Sequence, residues 1–137
     1  MFKLPKNDGK YLWTAHVIEK MRFYGIPESR IKRIIRFPAR TEEGIVENTI
    51  AVMQPNATQT DKNGKKTWKQ EIWVMYKPVS LKKQVNNEQE KKIEQNLEIL
   101  DKSNKKIKII TTWRYPGMSS KRDAIPEEVL NEIRNLL

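Results

Sequence analysis

Hydrophobic residues near the start of the chain recur at helical spacing. Val17 and Met21 are four residues apart, and their neighbours extend the same apolar stripe, which predicts a helix over about residues 14–24. Thr14 can cap the start of this helix with its hydroxyl group. Gly25 can end it, because glycine adopts a left-handed backbone conformation without steric cost.

A second helix is expected directly after the first. Pro27 suits its first turn and Pro38 ends it. The narrow apolar face of this helix consists of Ile31, Ile34 and Ile35. Arg33, Arg36 and Arg40 are expected to project away from this face. Arg30 and Lys32 flank it.

The pattern then changes to β-branched and alternating residues. Strands are predicted at residues 45–53, 68–76 and 105–115. Residues 54–67 contain Pro, Asn and Gly and are predicted to form a polar loop. The first two strands are expected to pair as a hairpin.

Two further helices complete the predicted order. Residues 81–104 are charged but keep one apolar stripe, which indicates a helical insertion between strands, and Pro126 opens a short amphipathic helix. Helices followed by strands predict an α+β fold in one domain over residues 1–137. In this prediction two N-terminal helices pack on one face of a small antiparallel sheet, with the helical insertion and the C-terminal helix added.

Charge changes the picture because it is unevenly distributed. The formal net charge is +10, and residues 1–40 hold ten Lys and Arg against three Asp and Glu. Focused positive charge attracts a polyanion and supplies contacts to phosphate groups. A nucleic acid or an acidic protein is therefore the expected partner, and an ordinary solvated surface is the alternative.

Composition removes several classes of function. The chain has no cysteine and one histidine, which excludes disulfides and thiolate metal sites and makes a protein-built zinc site unexpected. The apolar runs are too short for a transmembrane helix, and the N-terminal residues lack the apolar core of a signal peptide. We expect a cytoplasmic protein that contacts no membrane and needs neither metal nor cofactor.

His16 and Lys20 are the first candidates for chemistry. They are four residues apart and therefore share one face of the first predicted helix. A histidine can act as general acid or base on a ribose hydroxyl, and a neighbouring lysine can stabilise a developing phosphate charge. The alternative is a structural histidine that caps a backbone carbonyl.

The third predicted strand carries a second set of candidates. Alternation places Arg114 on one face of the sheet and Trp113 and Tyr115 on the other. Arginine can hold a phosphate with two hydrogen bonds, and tyrosine can stack on a base. The alternative is a core tryptophan beside an edge-strand arginine.

The segment HVIEKMRFYGI, followed by a Pro-x-x-x-Ile-x-x-Ile-Ile helix, resembles a small family of bacterial and archaeal domains grouped with the RelE/ParE-like toxin fold, to which BrnT-type toxins also belong. The strand KIKIITTWRY resembles the closing strand of that family. The likeness covers roughly residues 14–40 and 105–115. The matching positions are His16, Lys20, Met21, Gly25 and Ile26. Tyr24 departs from the pattern, since the family usually has arginine there.

The resemblance implies an RNA-directed toxin that cleaves RNA without metal and is held by an acidic antitoxin. In that hypothesis His16 is the general acid or base, Lys20 and Arg114 stabilise the phosphate, and the 2′-hydroxyl is the nucleophile. The RNA-binding residues would be Arg30, Lys32, Arg33, Arg36, Arg40 and Tyr115. The alternative is a non-catalytic module that binds a nucleic acid or a protein.

Overall fold

A five-stranded sheet forms the centre of the molecule, as a computed structural model shows for residues 2–43, 48–79, 106–120 and 125–136. The described elements are, in chain order, β1 (Tyr11–Trp13), α1 (Ala15–Tyr24), α2 (Glu28–Arg36), β2 (Arg40–Glu43), β3 (Ile50–Thr60), β4 (Lys66–Val79), β5 (Lys106–Pro116) and α3 (Glu127–Leu136). The strand order is β1-β5-β4-β3-β2. β1 runs parallel to β5, and every other neighbouring pair is antiparallel.

The two predicted N-terminal helices are confirmed, because their signals are local. The Thr14 side chain accepts a hydrogen bond from the Val17 amide at 3.1 Å, and Gly25 ends α1 with φ of 66°. In α2 the side chains of Ile31 and Ile34 are buried, as their spacing predicts. The helix expected after Pro126 is also confirmed.

The predicted fold class is wrong. A strand precedes both N-terminal helices, the sheet is larger and mixed rather than antiparallel, and strand residues outnumber helical residues in the described ranges. The helices are also divided between the two faces of the sheet. Val17 and Ile31 share a core with one face, whereas Val129 and Ile133 of α3 share a second core with the other.

The short edge strands escaped prediction because their pairing comes from distant partners. β1 pairs Tyr11 with Ile107 and has only three residues, so the strand is too short to show a periodic pattern. On its other side, the Trp13 amide donates to Oδ1 of Asn7 at 2.7 Å, so a side chain supplies the missing acceptor. β2 is polar throughout and pairs Arg40 with Met53.

The predicted loop over residues 54–67 is also wrong. Residues 54–60 continue β3, and the turn to β4 occupies only residues 61–65. Asp61 closes this turn, since its Oδ1 accepts hydrogen bonds from the amides of Asn63 at 2.9 Å and Lys65 at 2.8 Å. The hairpin tip, residues 57–66, is exposed. Its strands pair through their backbones and therefore show no hydrophobic pattern.

The other predicted strands are present, with different bounds. The strand predicted at 45–53 begins at Ile50, and residues 45–47 lie outside the described ranges. The strands predicted at 68–76 and 105–115 are confirmed, the first with longer bounds. The helical insertion over residues 81–104 lies outside the described residues.

A bulge in β5 decides which side chains face which core. Met75 pairs with Thr111 and Tyr76 pairs with Ile109, so Ile110 is an extra residue in the ladder. Beyond the bulge, Trp113 lies in the α3 core, stacked on Trp73. Arg114, one residue further, is therefore on the α1–α2 face, as alternation predicts.

Candidate nucleic-acid interface

His16 and Lys20 lie together, but both face a carboxylate of α3. Nε2 of His16 is 3.3 Å from Oε2 of Glu132, and Nζ of Lys20 is 2.9 Å from Oε1 of the same residue. The hydrogen bond with Glu132 raises the pKa of Lys20. The negative charge of Glu132 thus offsets that of Lys20 and ties α3 to α1.

Arg114 lies at the other end of α1. Its Nε donates to the Tyr24 carbonyl at 3.0 Å, and its Nη1 donates to Oε1 of Gln70 at 3.2 Å. His16 is in the first turn of α1 and Tyr24 in the last, so the helix separates them by about 12 Å. The structure therefore brings His16 and Lys20 together without Arg114.

Arg114 instead belongs to a group of three arginines, called here the arginine cluster: Arg30, Arg33 and Arg114. Nη2 of Arg30 donates to the Pro55 carbonyl at 3.2 Å, which fixes this guanidinium against β3. Burial and the neighbouring charges of Arg33 and Arg114 lower the pKa of Arg30. Arg33 and Arg114 are thus both close enough to Arg30 to repel its positive charge.

The cluster has few compensating groups. Within the described ranges, the ion pairs involve other residues, and none joins an arginine of the cluster to a carboxylate. Nε of Arg30 is buried and has no hydrogen-bond partner among the described residues. An anion bound to the exposed donors of the cluster would supply the missing negative charge.

Amide side chains surround the cluster at the polar end of the sheet face. Nε2 of Gln54 donates to the carbonyls of Arg33 at 3.3 Å and Phe37 at 2.9 Å, and so joins the end of α2 to β3. Asn56 and Gln70 are paired across β3 and β4 beside it. Amides offer neutral donors, which suit a phosphate oxygen without adding positive charge.

The remaining predicted binding residues differ in their surroundings. Lys32 forms an ion pair with Glu28 at 2.9 Å and lies 5.2 Å from the centre of the Tyr11 ring. Arg36 is exposed in the last turn of α2. Tyr115 packs against the α3 core, on the face of the sheet opposite the arginine cluster.

Arg40 lies away from α2, so the prediction that it projects from that helix is wrong. It is the first residue of β2, and its guanidinium lies 4.9 Å from the centre of the Trp73 ring. Nη1 donates to the Ser119 carbonyl at 2.9 Å and Nη2 to Ser119 Oγ at 2.6 Å. Its Nε is also 3.1 Å from Oε1 of Glu42.

Glu71 is the important residue that the sequence analysis missed. Its side chain is fully buried in the α3 core and accepts hydrogen bonds from Trp68 Nε1 at 2.9 Å, Trp73 Nε1 at 3.0 Å and the Ser119 amide at 3.2 Å. Ser119 Oγ also donates to it. Burial alone would raise the pKa of Glu71, but these hydrogen bonds outweigh burial and lower it. A lone carboxylate between two tryptophans in an apolar strand is the signal that could have found it.

No family model, curated protein or solved structure matches the chain. In the described part of the chain, no three His, Asp or Glu side chains lie together in a group that could hold a metal ion. No helix there is long and apolar enough to cross a membrane. The resemblance to the RelE/ParE-like group stays a prediction.

The contact between α1 and α3 leads to a first prediction. Glu132→Gln should lower the free energy of unfolding by roughly 0.5–1 kcal/mol, because the pair with Lys20 is partly exposed. Urea denaturation at low and high salt measures the change, which should shrink as salt screens the pair.

Glu128→Gln is the matched control, since Glu128 is an exposed carboxylate of the same helix. It should cost less stability than Glu132→Gln at low salt. Equal losses would show that Glu132 acts only through the net charge of α3.

Proposed function

We propose that this protein binds a nucleic acid and that the arginine cluster holds the phosphate backbone. The observation that carries the proposal is that Arg30 and Arg114 are held by backbone carbonyls while no ion pair of the described residues neutralises the cluster. Burial, together with the charges of Arg33 and Arg114, lowers the pKa of Arg30. Crowding like charges costs folding free energy, and a bound phosphate removes that cost. Guanidinium groups suit this ligand because their planar donors match two phosphate oxygens at once.

Two features support a polymeric anion over a small one. The net charge of +10 is concentrated in the first 40 residues, which creates a field that attracts polyanions over distance. The exposed hairpin tip adds Lys62, Lys65 and Lys66 at the end of the sheet that carries the cluster's amides. A nucleic acid that lies across the cluster can reach both regions. We place this binding in the cytoplasm.

Binding is better supported than cleavage. The hypothesis of a metal-independent ribonuclease needs His16 and Arg114 at one phosphate, and they lie at opposite ends of α1. Single-turnover incubation of RNA in EDTA tests cleavage directly. Cleavage that is lost in His16→Ala would restore the enzyme hypothesis.

The binding proposal is tested with Arg33→Gln, which removes one charge of the cluster without shortening the side chain greatly. Fluorescence anisotropy with a labelled RNA, repeated over a range of salt concentrations, should show roughly tenfold weaker binding at low salt. The magnitude of the slope of log affinity against log salt should fall by about one, which corresponds to the loss of one phosphate contact. Arg33 is exposed, so the fold should be retained.

Arg134→Gln is the matched control, because it makes the same change of charge on exposed α3 at the other face of the sheet. It should bind nearly as well as the wild type. Equal weakening in both variants, or no salt-sensitive binding by the wild type to RNA or DNA, would refute the proposal. Binding only to an acidic protein would replace it by the protein-binding alternative.

A further inference from the structure

A solvent-exposed aromatic ring lies beside the arginine cluster. Phe37 follows α2 directly and is 71% exposed, whereas the isoleucines of that helix face the core. The Phe37 amide donates to the Arg33 carbonyl at 2.9 Å, so Phe37 lies one helical turn beyond a residue of the arginine cluster. The backbone of Phe37 therefore lies close to that of Arg33, one of the cationic residues that would hold a phosphate.

The backbone of Phe37 is fixed although its ring is exposed. Its amide donates to the Arg33 carbonyl at 2.9 Å, and its own carbonyl accepts from Gln54 Nε2 at 2.9 Å. Two residues on, the amide of Ala39 donates to the Met53 carbonyl at 2.8 Å. The ring thus projects from an anchored backbone, so presenting it to a ligand costs little backbone entropy.

Phe23 provides a useful contrast. It is 75% exposed on α1, but its ring packs edge-on against Tyr24 at 4.9 Å between centroids, with Nζ of Lys20 at 5.5 Å. For Phe37, no aromatic or cationic partner of the ring is found among the described residues. Phe37 is the exposed aromatic that follows Arg33 of the cluster by one helical turn.

We propose that Phe37 is a stacking platform for an unpaired base and that the bound nucleic acid is single-stranded, an inference that rests on the function proposed above. Cationic groups along the backbone combined with an exposed aromatic are the arrangement by which proteins bind single strands. In a duplex the base faces are already stacked on one another, so a ring at the phosphate backbone gains no contact. A flexible single strand can place a phosphate on Arg33 and turn the neighbouring base onto Phe37.

The test compares a labelled single-stranded RNA of about twelve nucleotides with the duplex of the same sequence. Phe37→Leu keeps an apolar side chain but removes the ring face, and it should weaken single-strand binding roughly tenfold. Its duplex affinity should stay at the wild-type value. Phe37→Trp should restore or strengthen single-strand binding, because tryptophan keeps a stacking face.

Phe23→Leu is the matched control, since it makes the same substitution at the other exposed phenylalanine. It should bind the single strand like the wild type. The inference is overturned if Phe37→Leu binds the single strand unchanged, or if the wild type binds the duplex as tightly as the single strand.

The outcomes also separate this inference from the proposed function. If Arg33→Gln weakens binding and Phe37→Leu does not, the protein binds phosphate backbones without base stacking. In that case the proposed function stands and the single-strand inference fails. If neither strand form binds in a salt-dependent way, both fail.

Discussion

Glu71→Ala should lower the free energy of unfolding by about 3–5 kcal/mol, the range for removing one partner from a buried charged network. The carboxylate is fully buried, and its two oxygens accept hydrogen bonds from two indole groups and from Ser119. Truncation leaves these donors in an apolar core without acceptors. Guanidinium denaturation monitored by tryptophan fluorescence measures the loss.

Glu71→Ala should also weaken the contacts of Arg40. Its guanidinium contacts Ser119, which lies between Arg40 and Glu71, and it also faces the Trp73 ring. Without Glu71, the positive charge of Arg40 loses the carboxylate on the far side of Ser119. An unfolding midpoint equal to that of the wild type would contradict this description of the network.

Glu71→Gln separates the charge from the shape of this side chain. It preserves the volume and one acceptor oxygen, so its loss should be smaller than that of Glu71→Ala. The pH dependence gives a second readout, because the pKa of Glu71 lies below its ordinary value of 4.5. The stabilising contribution of Glu71 is complete above pH 4.5, its ordinary pKa, and is lost as the pH falls through the lower pKa of the folded state. The difference in unfolding free energy between the wild type and Glu71→Gln should therefore shrink in acid.

Trp113→Ala should cost about 3–5 kcal/mol of folding free energy, the usual range for removing a large aromatic side chain from a core. Trp113 is 1% exposed and stacks on Trp73, with ring centroids 5.9 Å apart and planes 3° from parallel. Because Trp73 also donates to Glu71, the resulting cavity would loosen the buried network as well. Urea denaturation followed by circular dichroism measures the loss.

Two variants calibrate this result. Trp113→Phe keeps an aromatic ring and should lose clearly less stability than Trp113→Ala. Met118→Ala removes a hydrophobic side chain that is 48% exposed, and its effect should stay within about 0.5 kcal/mol. Equal losses for Trp113→Ala and Met118→Ala would show that the stacked pair contributes little.

Local signals explain what the sequence predicted correctly. The Thr14 cap, the Gly25 stop and the apolar spacing of α2 act over a few residues, so they can be read without the rest of the chain. Alternation likewise predicted that Arg114 and Trp113 face opposite sides of the sheet. These features needed no knowledge of distant partners.

The rest depended on contacts between distant segments. β1 and β2 form because β5 and β3 supply their partners, and the backbone of the hairpin tip pairs without any hydrophobic pattern. The candidate site shows the same limit. Arg33 was predicted as a phosphate ligand from the charge of its helix, but only the fold brings Arg114 from β5 to the same cluster.

The bulge at Ile110 has a consequence for comparing this chain with others. In β5 the odd-numbered Ile109 and Trp113 face different cores, because one extra residue between them reverses the alternation. A related chain that lacked a residue at Ile110 would keep Trp113 and Arg114 on their present faces with an uninterrupted ladder. A relative with the full length but no bulge would exchange them and turn the arginine toward α3. Alignments of this strand should therefore allow a one-residue gap at this point before an arginine is matched to Arg114.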